Sequence, residues 1–238
     1  MYFSGDKLEW YFSFETLRPL IELCFEDKKF VLEIGCGDSP LIENLASMIK
    51  DQQVHLAAID FSRIIIDELK NTQSNKTMNK VHYQFMDARK LQYMNQTFDF
   101  IIEKGTIDAM LCDKVLGFDN VKQILKESFR VLKPEGKLMI ISHISFYSDE
   151  FSELYGKCIL PALVEFPEKS FVLDIHMIGM IQEGLSYASV YIFTCNKKPN
   201  TRSVTNLKKS LDSKRNKVDL LNDAINSYHL CTKIHEHS

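Results

Sequence analysis

Val31-Leu32-Glu33-Ile34-Gly35-Cys36-Gly37-Asp38-Ser39 is the stretch from which the rest of the chain is read. Its first four residues, apolar but for Glu33, predict a buried strand. A glycine-spaced turn follows, and Pro40-Leu41-Ile42-Glu43-Asn44-Leu45-Ala46 predicts a helix. Strand, Gly-x-Gly, helix opens a βαβ nucleotide-binding unit. Glycine reaches dihedrals barred to other residues and lets a ligand lie against bare backbone. Ser39 suits a helix cap and Pro40 the first helical position.

A second strand, ending Leu56-Ala57-Ala58-Ile59, runs into Asp60, 25 residues past Gly35. An acidic residue at that strand end accepts the ribose hydroxyls of a nucleoside, at an expected offset of roughly 20 residues. The dinucleotide fingerprint wants a third glycine three places after the second, and that position is Pro40. A bound pyrophosphate is therefore disfavoured. S-adenosylmethionine carries no phosphate, and a Gly-x-Gly-x-Ser turn suffices for it, so it ranks ahead of NAD.

The alternation continues along the chain. Residues 8–26 carry Trp10, Tyr11, Phe12, Phe14, Leu17, Leu20, Ile21 and Cys24, helically spaced from Phe14. Trp10, the only tryptophan, reads as a core anchor, with an aromatic wall of the ligand site as the alternative. Strand 31–34 leads to helix 40–49, and strand 54–59 to helix 62–73. Strand 81–86 follows a polar loop. Strand 98–103 precedes a helical segment from Thr106 to Cys112, and then comes helix 119–132. Lys133-Pro134-Glu135-Gly136 reads as a turn before strand 137–143. A helix around 148–159 leads to two further runs, 171–177, which alternates only loosely, and 187–195, which is rich in β formers, expected as a closing hairpin antiparallel to the rest.

Five strands with intervening helices predict an α/β, Rossmann-like, doubly wound parallel sheet, brought to seven strands by the hairpin. Right-handed crossovers place the carboxyl ends of the parallel strands on one edge, where ligands bind. That edge collects Gly35, Asp60, Asp87 and Lys104. Glu103-Lys104-Gly105-Thr106-Ile107-Asp108-Ala109 sets two carboxylates and a lysine within six residues there. Charge at the tip of an apolar strand is costly unless exposed in a cleft or paired.

The 238 residues are 45% hydrophobic with a formal net charge of −3. They suit one domain over 1–197 with a basic tail over 198–238, expected to be helical or partly flexible. So small a charge selects neither nucleic acid nor acidic lipid. The cysteines Cys24, Cys36, Cys112, Cys158, Cys195 and Cys231 contain no Cys-x-x-Cys, so free thiols are expected and no metal site. His235 and His237 read as terminal residues and not as ligands. No run of about 18 apolar residues predicts a membrane span. The N-terminus has neither a secretory nor an Arg-rich signal, so a cytoplasmic location is expected.

Taken together, Gly35-Cys36-Gly37-Asp38-Ser39, Asp60-Phe61-Ser62, Met86-Asp87-Ala88-Arg89-Lys90-Leu91 and Glu103-Lys104-Gly105-Thr106-Ile107-Asp108-Ala109 resemble class I, seven-β-strand, S-adenosylmethionine-dependent methyltransferases. They are closest to the lysine methyltransferases of elongation factor 1-alpha, whose N-terminal aromatic segment Glu9-Trp10-Tyr11 also matches. The resemblance spans roughly residues 8 to 160. It implies that Gly35 and Gly37 form the turn around the methionine part of S-adenosylmethionine. Asp60 would hold the ribose beside Phe61, and Asp87 with Ala88 would read the adenine edge. Trp10 and Lys104 would complete the pocket.

Methylating a lysine requires a neutral amine, and a nearby carboxylate would take its proton. Glu103 and Asp108 are the candidates. Asp38 stands where the family usually has asparagine, and no Asn/Asp-Pro-Pro-aromatic motif follows the fourth strand. That argues against amide and DNA-base substrates. A small-molecule methyltransferase, a non-catalytic cofactor-binding partner, an aminopropyl transferase and an NAD-linked oxidoreductase are the rival readings. The expected partner is a protein substrate, elongation factor 1-alpha by resemblance, with no membrane and no specific nucleic acid.

Overall fold

A computed structural model describes residues 10–26, 28–51, 53–72, 81–180, 186–197 and 231–237. Its elements run α1 (Phe14–Phe25), β1 (Phe30–Ile34), α2 (Leu41–Met48), β2 (His55–Asp60), α3 (Arg63–Thr72), β3 (Val81–Phe85) and β4 (Phe98–Lys104). They continue with α4 (Thr106–Leu111), α5 (Gly117–Val131), β5 (Leu132–Ser142) and α6 (Asp149–Leu154). A π-helical turn over Tyr155–Ile159 joins α6 to α7 (Leu160–Leu163), and β6 (Lys169–Met180), β7 (Ser186–Lys197) and β8 (Cys231–His237) complete the order.

The strands form one sheet in the order β3-β2-β1-β4-β5-β7-β6-β8. The doubly wound parallel arrangement β3-β2-β1-β4-β5 is as expected. The closing hairpin departs from the expectation in direction. β7 is antiparallel to both β5 and β6, so β6 runs the same way as the parallel strands and only β7 is reversed. An eighth strand also appears. Residues 231–237 of the stretch read as a helical or flexible tail pair in parallel with β6, while residues 198–230 of that stretch lie outside those described. The predicted turn Lys133–Gly136 is absorbed as an irregularity in β5. Phe98 pairs with Leu132, and the next paired residue, Phe100, meets Lys137. Glu135 takes a positive φ there.

The two sheet faces have separate cores. Val31, Phe100, Ile102, Met139 and Val190 pack with Leu17 and Ile21 of α1, Leu41 and Leu45 of α2, and Ile66 of α3. Leu32, Ile34, Ile101 and Ile140 pack with Val121, Leu125 and Phe129 of α5 and with Phe151, Cys158 and Leu163 beyond β5. Both faces are covered, so β1 and β4 read as continuous apolar runs. Strand alternation then divides the tip of β4. Glu103 follows Ile101 toward the α4–α7 layer, and Lys104 follows Ile102 toward the α1 side. The tethers between neighbouring strand ends lie on the carboxyl edge. The amides of Cys36, Met86 and Gly105 donate to the carbonyls of Ile59, Asp60 and Ile141, each at 3.0 Å.

Candidate active site

A cleft of about 500 Å³ opens over the carboxyl ends of β1, β2 and β4. Trp10, Gly35, Gly37, Asp60, Phe61, Asp87, Ala88 and Lys104, all eight residues expected to hold a cofactor, line it. Its floor is the turn after β1. Gly35 has φ +64°, and a β-carbon there would stand 2.1 Å from Thr106 Oγ1. Gly37 has φ +51° and faces open space, with nothing within 4 Å of where its β-carbon would be. Both positions need glycine, the first for closeness and both for dihedral. The Thr106 hydroxyl donates to the Ile34 carbonyl at 3.0 Å and so buttresses the turn.

Asp60 is anchored by backbone. Gly37 N–H donates to Oδ2 at 2.9 Å and Ser62 N–H to Oδ1 at 2.7 Å. A carboxylate oxygen has room for a second donor, so two hydroxyls could be accepted without losing these bonds. Asp87 is clamped by Arg89, whose Nε and Nη2 reach its two oxygens at 3.0 and 2.8 Å. The guanidinium holds that carboxyl below the usual carboxylate range, and Arg89 Nη1 donates onward to Asn120. Lys104 Nζ donates to the Phe12 carbonyl at 3.2 Å and so ties the N-terminal segment to β4. Glu33, on the α1 side of β1, is fully buried, and burial raises its pKa to about 8 against the opposing pull of Lys104.

Trp10 is 55% exposed and Phe61 67% exposed. The reading of Trp10 as a core anchor is corrected: Phe12 and Phe14 enter the core instead, and Trp10 forms a wall of the cleft. The carboxylates fare differently from expectation. Neither Glu103 nor Asp108 lines the cleft. Glu103 points into the α4–α7 layer, where its Oε2 accepts from the amides of Thr106 (2.9 Å) and Ile107 (3.2 Å). It caps α4, with its pKa pushed well above the usual value by burial and then by the charge of Asp108. A carboxyl buried in the α4–α7 layer, with one oxygen engaged by two amides and neither oxygen in the cleft lining, is not placed to take a proton from a ligand there.

Asp108 lies in a polar knot that sequence reading did not assemble. Its Oδ1 accepts from Ser142 Oγ at 2.6 Å and faces His143 Nδ1 at 3.0 Å. Tyr11 Oη lies 3.4 Å from the same nitrogen. Tyr11, at φ 60°, also packs over Gly105, where a β-carbon would meet its ring at 3.4 Å. Gly105 lines the cleft, so the knot adjoins it. Burial, and then the charge of Asp108, pushes the Tyr11 phenol up. His143 and Ser142 were legible in principle, since they stand at the carboxyl end of β5, the same edge that gathers the other site residues.

The lining tests the expected cofactor. Asp38, Asp60, Asp87 and Asp113 face the cleft, while its two cations, Arg89 and Lys104, are engaged by Asp87 and by the Phe12 carbonyl. A diphosphate would meet like charge there, whereas a cationic sulfonium meets opposite charge. Among the described residues no group of three or more histidine, cysteine or acidic side chains could hold a metal ion.

A doubly wound sheet with one reversed strand next to β5 and an acidic, glycine-floored cleft at the carboxyl edge is the arrangement of the Rossmann-like methyltransferase fold. The chain belongs to a methyltransferase domain family, whose sequence pattern matches residues 25–179. S-adenosylmethionine is the methyl donor that membership implies, and the lining suits it. The chain is 27% identical over 183 residues to the eEF1A lysine and N-terminal methyltransferase of Mus musculus, covering 76% of this chain and 24% of that one. It is 30% identical over 145 residues to EEF1A lysine methyltransferase 4 of Mus musculus, covering 57% and 54%. It thus spans about a quarter and about half the length of these relatives. Among solved structures, an S-adenosylmethionine-dependent methyltransferase of Methanosarcina mazei shares the fold, with TM-score 0.55 at 18% identity, over 76% of this chain and 98% of that one.

Proposed function

We propose that this chain is a protein-lysine N-methyltransferase of the cytosol and that elongation factor 1-alpha is its substrate. The observation that carries the reading is the joining of two features at one strand edge. One is the acidic, phosphate-averse cleft, and the other is the aromatic and carboxylate knot beside it. The substrate comes from the relatives, which are named for lysines of that factor.

Each residue then has a task. Asp60 accepts the ribose hydroxyls, the Gly35–Gly37 backbone lies under the amino-acid part, and Asp87 with the Ala88 amide meets the adenine edge. Phe61 covers the base, and Lys104 fastens the Phe12 backbone so that Trp10 closes the cleft. When bound, the sulfonium supplies an intrinsically reactive methyl group, so the protein's work is alignment and exclusion of water. Trp10 and Tyr11 present π-faces to a cationic amine approaching the cleft.

The test uses tritiated S-adenosylmethionine with purified elongation factor 1-alpha and with a lysate of the source organism. Label on a lysine of the factor supports the reading. Label confined to small molecules overturns it.

A further inference from the structure

The Asp108 knot raises a question that the cleft does not answer: where the proton of the acceptor amine goes. Glu103 is committed to the amides of Thr106 and Ile107. Asp108 is 5% exposed, and its Oδ1 is already shared by Ser142 and His143. His143 is different. Like those two it stands outside the cleft lining, but its side chain is 59% exposed beside the cleft, and its Nδ1 is the nitrogen held against Asp108. A carboxylate on Nδ1 fixes the hydrogen there and leaves Nε2 with a lone pair.

Resting on the methyl-transfer reading above, we propose that His143 is the proton acceptor for the substrate amine and that Asp108 is the residue that positions it. The ε-ammonium gives one proton to Nε2. The freed nitrogen lone pair forms the new N–C bond as the S–C bond breaks and its electron pair stays on sulfur. The imidazolium, stabilised by Asp108, releases its proton to solvent through its exposed side.

Three observations join here. The rings of Trp10 and Tyr11 lie 6.0 Å apart, as do those of Tyr11 and His143, which makes an aromatic row from the cleft wall to the base. Tyr11 lies over the bare Cα of Gly105, where the cleft and the knot meet. Asp108 Oδ2, like Glu33 Oε2 and Glu103 Oε1, is buried with no hydrogen-bond partner among the described residues, an exception of the kind that catalytic sites retain. The charged and titratable groups around His143 are Asp108 of α4, Tyr11 of the N-terminal segment and Glu150 of α6. The charge of Asp108 in turn acts on Glu103 of β4 and Tyr191 of β7.

The experiment compares wild type with His143→Gln and Asp108→Asn on purified elongation factor 1-alpha from pH 6.5 to 10. His143→Gln is expected to lower kcat at pH 7.5 by about 100-fold or more, within the usual range for removal of a general base. S-adenosylhomocysteine affinity should stay within twofold, and the deficit should shrink as pH nears the free amine pKa of about 10.4. A threefold or smaller deficit at pH 7.5, or a deficit constant with pH, overturns the proposal. A second readout needs no substrate. ¹⁵N spectra of the imidazole should show hydrogen on Nδ1 in wild type and not in Asp108→Asn, and hydrogen on Nε2 in wild type overturns the assignment. A wild type that labels no protein sinks the protein-lysine reading instead, and the spectra still decide the Asp108–His143 pair.

Discussion

The Gly37 amide donates to Asp60 Oδ2 at 2.9 Å, so the turn after β1 and the tip of β2 form one rigid floor. Removing the carboxylate removes both that tie and the ribose acceptor. A hydrogen bond to a charged group is worth about 1.5–3 kcal/mol. Asp60→Ala should therefore weaken S-adenosylhomocysteine binding about 10- to 100-fold by calorimetry. Unchanged affinity would show that the nucleoside lies elsewhere.

Gly35→Ala should destabilise the fold itself. A side chain at φ +64° costs about 1–2 kcal/mol, and the new β-carbon collides with Thr106 Oγ1, adding about 1–3 kcal/mol of overpacking. Pairing it with Thr106→Ala should recover only part of the loss, because the Thr106 β-carbon would still stand at 3.0 Å. Urea unfolding of the single and double variants measures this, and full recovery would disprove the dihedral contribution.

Glu103 separates a capping role from a catalytic one. Glu103→Gln keeps an oxygen for the Thr106 and Ile107 amides and should retain transfer activity within a few-fold. Glu103→Ala strands both amides and should cost about 1–2 kcal/mol, the usual loss of a helix cap. A Gln variant that folds normally yet transfers nothing would return Glu103 to the chemistry.

Glu33 should leave a signature in stability against pH. Its carboxyl titrates at about 8 when folded and near 4.3 when unfolded. Between those values the folded chain binds the extra proton, so stability falls as pH rises, by at most about 1.4 kcal/mol per pH unit. Above about pH 8 the loss levels off. Glu33→Gln should remove that slope, so the variant gains on wild type as pH goes from 5.5 to 8. Parallel unfolding curves at both pH values would refute the burial effect.

The cofactor half of the site was readable because one rule suffices for it: ligands sit where parallel strands end. Gly35, Asp60, Asp87 and Lys104 each close a strand or follow one. The acceptor half needed a second rule, applied residue by residue. Glu103 and Lys104 are neighbours in sequence, yet a strand sends them to opposite layers, and alternation with Ile101 and Ile102 tells which goes where. Tyr11 reaches His143 across 132 positions, a contact that no local pattern encodes. β6 and β7 are both rich in β formers, so composition says that they pair but not which of them is reversed.

β8 has a consequence of its own. It occupies the outer rim of β6 from Val172 to Ile178, where unpaired backbone groups would otherwise invite a foreign strand and seed self-association. Shielding that rim leaves the seven-residue β8 on one border of the sheet and the five-residue β3 on the other, both short templates for aggregation.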